Sequence, residues 1–235
     1  EWADSLGADI VDASVGWNEF EDGSGYTYTD LDGRSALSTI AAEIAIARGI
    51  VVVVAAGNEA AATWHYVTVP ADGPNVIAVG AVGLRRPVIA SFSSRGPTAD
   101  GRIKPDVVAP GVSIIVVDDE VSIEDYTRNH GTSFAAPLVS GVAALLKQVH
   151  PNWSPNEISS ALKATAHDLG ESGPDTTYGW GLVNALAASG IQVFVPESSL
   201  ASPPFPNPLS FKDDWRRGLS PTVYFPLLLD AQKLV

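Results

Sequence analysis

Residues 51–54 are four valines in a row, preceded by Gly49 and Ile50 and followed by Ala55, Ala56 and Gly57. Branched apolar side chains at consecutive positions leave neither face of an extended strand polar. Such a strand must be buried on both faces, as in a parallel sheet covered by helices. The rest of the chain supports that setting. Strands are expected at 9–14, 50–55, 76–82, 89–92 and 113–117, with a polar, acidic loop after the first. Leu37, Ile40, Ala41, Ile44 and Ala47 recur at helical spacing, and Gly49 supplies the stop. A second helix, rich in alanine and glycine, is expected from Ser133 to about Val149. A third opens at Trp153-Ser154-Pro155, with Ser154 as N-cap and Pro155 at the first helical position. Strands alternating with helices predict an α/β fold with a mostly parallel sheet.

The chemistry concentrates at Asn129-His130-Gly131-Thr132-Ser133-Phe134-Ala135-Ala136-Pro137-Leu138-Val139-Ser140-Gly141. Proline lacks an N–H and clashes with the carbonyl four residues back, so Pro137 is expected within about the first helical turn. Ser133 then sits at the helix N-terminus, where unpaired N–H groups and the positive dipole end collect. A serine attacking a carbonyl benefits there, because its own N–H can help hold the oxyanion. The competing reading is that Thr132 or Ser133 simply caps the helix. Asn58 follows the valine strand, at the carboxyl end where open α/β sheets place ligands; alone, it reads equally as a turn residue.

Together these runs resemble the subtilisin-like serine proteases, the subtilases. The stretch 129–141 looks like their nucleophile motif, and Gly49 to Glu59 like their buried strand ending in A-A-G-N. Ala8 to Gly16 resembles their S-L-G strand, with Val15 in place of leucine. Phe92–Pro97, Lys104–Gly111 and Tyr178–Ala185 match their connecting loops and closing turn, read here as turn punctuation without chemistry of its own. The resemblance covers roughly residues 1–188 and implies a three-layer fold. It implies Ser133 as nucleophile and Asn58 as oxyanion donor. Ser14, Val15 and Gly16 would border the extended substrate. Ala55, Ala56 and Gly57 would lie near the pocket for the side chain before the cut, with Thr132 grouped among the substrate-binding residues. An exposed strand edge can pair with a peptide through main-chain hydrogen bonds.

The base and orienting acid that such chemistry requires are not evident. The family's Asp and His blocks are expected upstream of Ile10, so the chain is read as the second half of a catalytic domain. The absence of methionine fits an internal piece of a longer reading frame. His130 lies within the nucleophile motif and reads as a residue at the lip of the site. His65 falls in a loop, His150 and His167 at helix ends, and Asp12 in the substrate strand; none has a physical claim to be base or acid. By itself the chain is expected to be an inefficient protease. A rival reading is a non-catalytic peptide-binding or surface protein on the same fold. The sedolisin relatives share a G-T-S serine but place an Asp where Asn58 stands.

The 235 residues are 46% hydrophobic and 17% charged, as a globular core requires, and the formal net charge of −13 argues against nucleic acid and anionic membrane as partners. Protein or peptide substrates and a secreted or cell-surface bacterial setting are expected. No cysteine is present, which removes disulfides and thiolate metal sites without deciding the compartment. No cofactor is implied. Calcium stays open for a longer protein, but Asp22, Asp30 and Asp32 lack the 12-residue loop spacing and read as a solvated loop. No apolar run is expected to reach the ~18–20 residues of a membrane span. Residues 1–190 are read as a partial peptidase domain. Residues 191–221, with Pro196, Pro203, Pro204, Pro206 and Pro208, read as an extended linker. Residues 222–235, after the Pro206-Asn207-Pro208 turn, resemble the start of a small β-sandwich sorting domain.

Overall fold

The computed structural model describes residues 1–117 and 126–191. In chain order these contain α1 (Trp2–Ser5), β1 (Ile10–Ala13), a short 3-10 turn at Tyr28–Asp30, α2 (Leu37–Ala47), β2 (Val51–Ala55) and β3 (Ile77–Gly83). Then follow β4 (Val107–Val112), β5 (Ile114–Val117), β6 (Tyr126–Asn129), α3 (Thr132–Val149), α4 (Pro155–Ala164) and α5 (Ala185–Ser189). The sheet order is β1-β2-β3-β4, all parallel, and β5 pairs with β6 as an antiparallel hairpin.

The valine run does what its composition demands. Val51, Val53 and Ala55 pack with Ala135, Val139 and Leu146 of α3 and with Ile158 and Leu162 of α4. Val52, Val54 and Ala56 pack with Ala42 and Ile46 of α2. The two-residue period of a strand thus feeds two cores, and the layers are helix, sheet, helix. Each fully buried valine contributes on the order of 1.5–3 kcal/mol. β2 is therefore the element on which both cores depend.

Several expectations change. The stretch after Lys104, expected as a connecting loop, is strand β4. Val108 turns its N–H and C=O outward, to Gly181 and Val183. Pro110, two residues on, has its missing N–H on that same outer side, where β3 does not need it. Residues 89–92 form only one bridge, between Val82 and Ile89, before the chain turns; the hydroxyl of Ser93 then accepts the Ala81 N–H in place of a strand. The polar strand β6 carried no apolar signal.

Helix α2 is rotated from the expected stripe. Its buried residues are Thr39, Ala42 and Ile46, while Leu37, Ile40 and Ile44 are exposed. The Thr39 hydroxyl donates to Asp72 Oδ1, and Asp72 Oδ2 accepts the Gly33 N–H. A buried carboxylate must be satisfied, and that requirement outweighs the apolar count. Gly49, at φ +95°, follows the C-cap as expected. Ser154 and Glu157 form a reciprocal capping box at α4.

The Lys104-Pro105-Asp106 stretch holds a buried ion cluster that the sequence reading passed over. Lys104 Nζ donates to Val76 O at 2.8 Å and to Asp106 Oδ2 at 2.7 Å. Asp106 Oδ2 also accepts the Ala78 N–H at 2.8 Å, and Lys163 Nζ reaches Oδ1 at 2.6 Å. Lys163 lies 4.7 Å from the Trp180 ring centre. Burial pushes the Asp106 carboxyl up, but the two lysines outweigh it and hold the group below the usual carboxylate range.

Among the described residues one helix, α3, is 18 residues long and apolar enough by length and composition to cross a membrane. That exceeds the sequence expectation. Its Ala135, Ala136, Val139, Ala143 and Leu146 pack in the sheet's core, so its apolarity serves the interior. The linker and sorting-domain assignments at 191–221 and 222–235 lie, from residue 192 onward, outside the described residues.

Candidate active site

Asn58 and Ser133 come together where β2 ends and α3 begins. The helix starts at Thr132, one residue before the expected position, with Gly131 as N-cap. The Thr132 N–H donates to Asn58 Oδ1 at 2.9 Å, and the Thr132 hydroxyl donates to the same oxygen at 3.0 Å. The Gly57 N–H donates to Thr132 Oγ1 at 3.2 Å. A backbone N–H can only donate, so the atom facing it is the Asn58 oxygen, and the amide orientation is fixed. Asn58 Nδ2 is left with no protein acceptor among the described residues and stands 3.6 Å from where a Cβ on Gly131 would lie. Ser133, the second helical residue, has a backbone N–H with no acceptor among them either.

Pro137 is the sixth helical residue, past the first turn where it was expected. Its missing N–H leaves the Ser133 carbonyl without its helical donor. Ser14 fills that vacancy: its hydroxyl donates to Ser133 O at 2.9 Å, and the Ser133 hydroxyl donates back to Ser14 O at 3.2 Å. The end of β1 is thereby fastened to the start of α3. Asp12 Oδ1 accepts the Ser140 hydroxyl at 2.8 Å, a third bond joining β1 and its end to α3.

Gly16 and Gly57 both pack against Thr68. A Cβ on Gly16 would collide with the Thr68 hydroxyl, and one on Gly57, at φ +108°, would approach it to 2.8 Å. Val15 is exposed, whereas Ala55 and Ala56 are buried, one in each core beneath the site.

The histidines lie elsewhere in the hydrogen-bond network. His65 Nδ1 meets Thr63 O, and His150 Nε2 meets Ser189 O while its ring stacks on Trp153 at 3.8 Å. The His130 ring is 6.0 Å from that of Phe92, and the His167 backbone pairs with Leu182. Among the described residues no histidine is hydrogen-bonded to Ser133. The acidic loop carboxylates each serve their own turn. Asp22 accepts from Ser24, Asp30 from Thr27, and Asp32 from the N–H groups of Arg34 and Ser35. The Ser24 hydroxyl holds Asp22, and the Thr27 N–H holds Asp30, below the usual carboxylate range. Among the described residues no cluster of three acidic or histidine side chains converges.

A four-stranded parallel sheet between helical layers, with a serine at the start of its central helix facing an asparagine beyond a buried strand, defines a class of α/β protein with a hydrolase-like site. A family profile described as the Subtilase family matches residues 1–181. The chain belongs to that family. It is 39% identical over 190 residues to subtilisin of Bacillus pumilus, which covers 80% of this chain and 59% of the relative. It is also 39% identical over 190 residues to subtilisin E of Bacillus subtilis, covering 80% of this chain and 43% of that protein. The serine protease AprX of Bacillus subtilis is 38% identical over 162 residues, 62% of this chain and 36% of the relative. The chain thus spans about half the length of the subtilisins it matches.

Proposed function

We propose that this chain carries the nucleophile and the oxyanion-holding groups of a subtilisin-like serine endopeptidase. What carries the reading is the pair of donors at Ser133 that no described residue accepts, its own N–H and the Asn58 amide. Ser133 Oγ attacks the scissile carbonyl of an extended peptide, and the oxygen that becomes negative is received by the two donors. Thr132 acts by holding Asn58 in the donating orientation. Ser14, Val15 and Gly16 border the peptide, and Ala55, Ala56 and Gly57 form the floor of the adjoining pocket. The proton leaving Ser133 needs a base, and the base an orienting acid. The reading assigns both to polypeptide outside the stretch matched in the longer relatives. Protein substrates and an extracellular bacterial setting belong to the same proposal, supported by the Bacillus subtilisins among its relatives.

The test joins this chain to the segments supplying base and acid and follows casein hydrolysis. Ser133→Ala abolishes it; hydrolysis unchanged by that substitution overturns the assignment. Peptide binding without hydrolysis, in a chain whose supplied acid and base are intact, replaces it with a non-catalytic peptide-binding protein on the same fold.

A further inference from the structure

Beyond Asn58, residues 18–28 and 59–66 contribute the walls of an open cavity of about 670 Å³. Four of its lining residues are aromatic, Tyr26, Tyr28, Trp64 and Tyr66, and two are acidic, Glu19 and Glu59; among the described residues no lysine or arginine lines it. The Tyr66 ring lies 4.2 Å from Tyr28 and 6.4 Å from Trp64, perpendicular to the latter. Backbone hydrogen bonds hold two of the rings in place: Trp64 Nε1 donates to Val67 O and the Tyr28 hydroxyl to Thr98 O. Neither Glu19 nor Glu59 has an ion-pair partner among the described residues. Arg95 is close along the backbone, bridged to Tyr66, yet pairs with neither.

We propose that this cavity binds a guanidinium group, the side chain of an arginine in a bound peptide. Aromatic faces carry negative potential and attract cations. A planar guanidinium stacks on rings and meets carboxylates through paired N–H groups, which an ammonium cannot do as well. An apolar occupant would take water from two carboxylates and give nothing back; an acidic one would be repelled. Glu59 directly follows Asn58 in the chain, so an arginine held here belongs to a peptide passing the nucleophile. That last step rests on the endopeptidase reading, whereas recognition of the cation does not.

The chain as it stands is titrated calorimetrically, at low salt, with capped hexapeptides Ala-Ala-Ala-Xaa-Ala-Ala in which Xaa is arginine, norleucine or glutamate. The arginine peptide binds about tenfold or more tightly than the norleucine peptide, and the glutamate peptide least; added salt narrows the gap. Glu59→Gln removes most of the preference and Glu19→Gln part of it. Glu171→Gln, an exposed acid outside the cavity, leaves it intact, which separates the site from the general attraction of an acidic protein. Circular dichroism checks each fold, and the exposed Glu19 carries the test if Glu59→Gln unfolds. Equal affinities, or an arginine preference untouched by the cavity substitutions, overturn the proposal. Binding is read without hydrolysis, so failure of the protease reading and failure of this one give different results.

Discussion

Two polar networks sit at opposite ends of the parallel sheet, and they differ in closure. At the amino ends of β3 and β4, the buried Asp106 bonds to Lys104, Lys163 and the Ala78 N–H, and the buried Lys104 also to the Val76 carbonyl. At the carboxyl end of β2, Gly57, Thr132 and Asn58 form a chain of bonds just as connected, yet the Asn58 amide and the Ser133 N–H keep donors that no described residue accepts. A buried network with every atom matched can only hold the fold. On the endopeptidase reading, a network that fixes its members and still leaves donors unmatched suits charge that arrives later.

The sharpest way to break this contrast is Asp106→Asn. It leaves Lys104 buried without its counter-charge and is expected to lower stability by about 3–5 kcal/mol in urea unfolding. A variant as stable as the parent would mean that the closed network is not structural. Next is Asn58→Ala in the proteolytically competent polypeptide. It is expected to lower kcat by roughly 10²–10³-fold, the figure already known for the oxyanion asparagine of subtilisin itself, while the melting temperature changes little. Loss of folding in place of rate would erase the distinction between the two ends.

A further effect comes from pH. Asp106 has a folded pKa below its unfolded value of about 3.9, so its stabilisation is complete above that pH. It is lost as pH falls through the folded pKa. Urea unfolding between about pH 5 and 2 should therefore show a steeper acid decline in the parent than in Asp106→Asn. Parallel curves would contradict the assigned direction. The smallest effect is Ser14→Ala, which leaves the Ser133 carbonyl unmatched and should cost about 1 kcal/mol. Pro137→Ala restores a helical N–H to that carbonyl. In the double variant the Ser14→Ala cost should shrink; an undiminished cost means that the hydroxyl's value lies elsewhere.

What the sequence disclosed follows from the kind of signal each part emits. The valine run, the alanine-rich α3 and the Ser154-Pro155 helix start are local patterns whose physics is complete within a few residues, and their positions agree with the structure to within one or two residues. Strand β4 hid behind Pro105, Pro110 and Gly111, because punctuation marks a break only when the missing N–H is needed. The rotation of α2 could not be read from α2 at all, since Asp72, more than thirty residues away, sets it. The bond from Ser14 to the Ser133 carbonyl was hidden likewise: Pro137 announced a helix start, and its greater consequence was to free an acceptor for another element. The cavity aromatics Tyr26, Tyr28, Trp64 and Tyr66 lie on two separate loops and share no spacing that would have grouped them.

The convergence of Gly16 and Gly57 on Thr68 bears on tolerance. Two chain segments approach one buried hydroxyl so closely that neither position accepts even a methyl group, and among the described residues the Thr68 hydroxyl has no hydrogen-bond partner of its own. The separation of the two segments is therefore gauged by one side chain acting as a spacer. Altering that spacer would shift both segments at once and, through the Gly57 N–H on Thr132, the hold on Asn58 as well. The gap between the two glycines and the orientation of the Asn58 amide are, in this protein, set together.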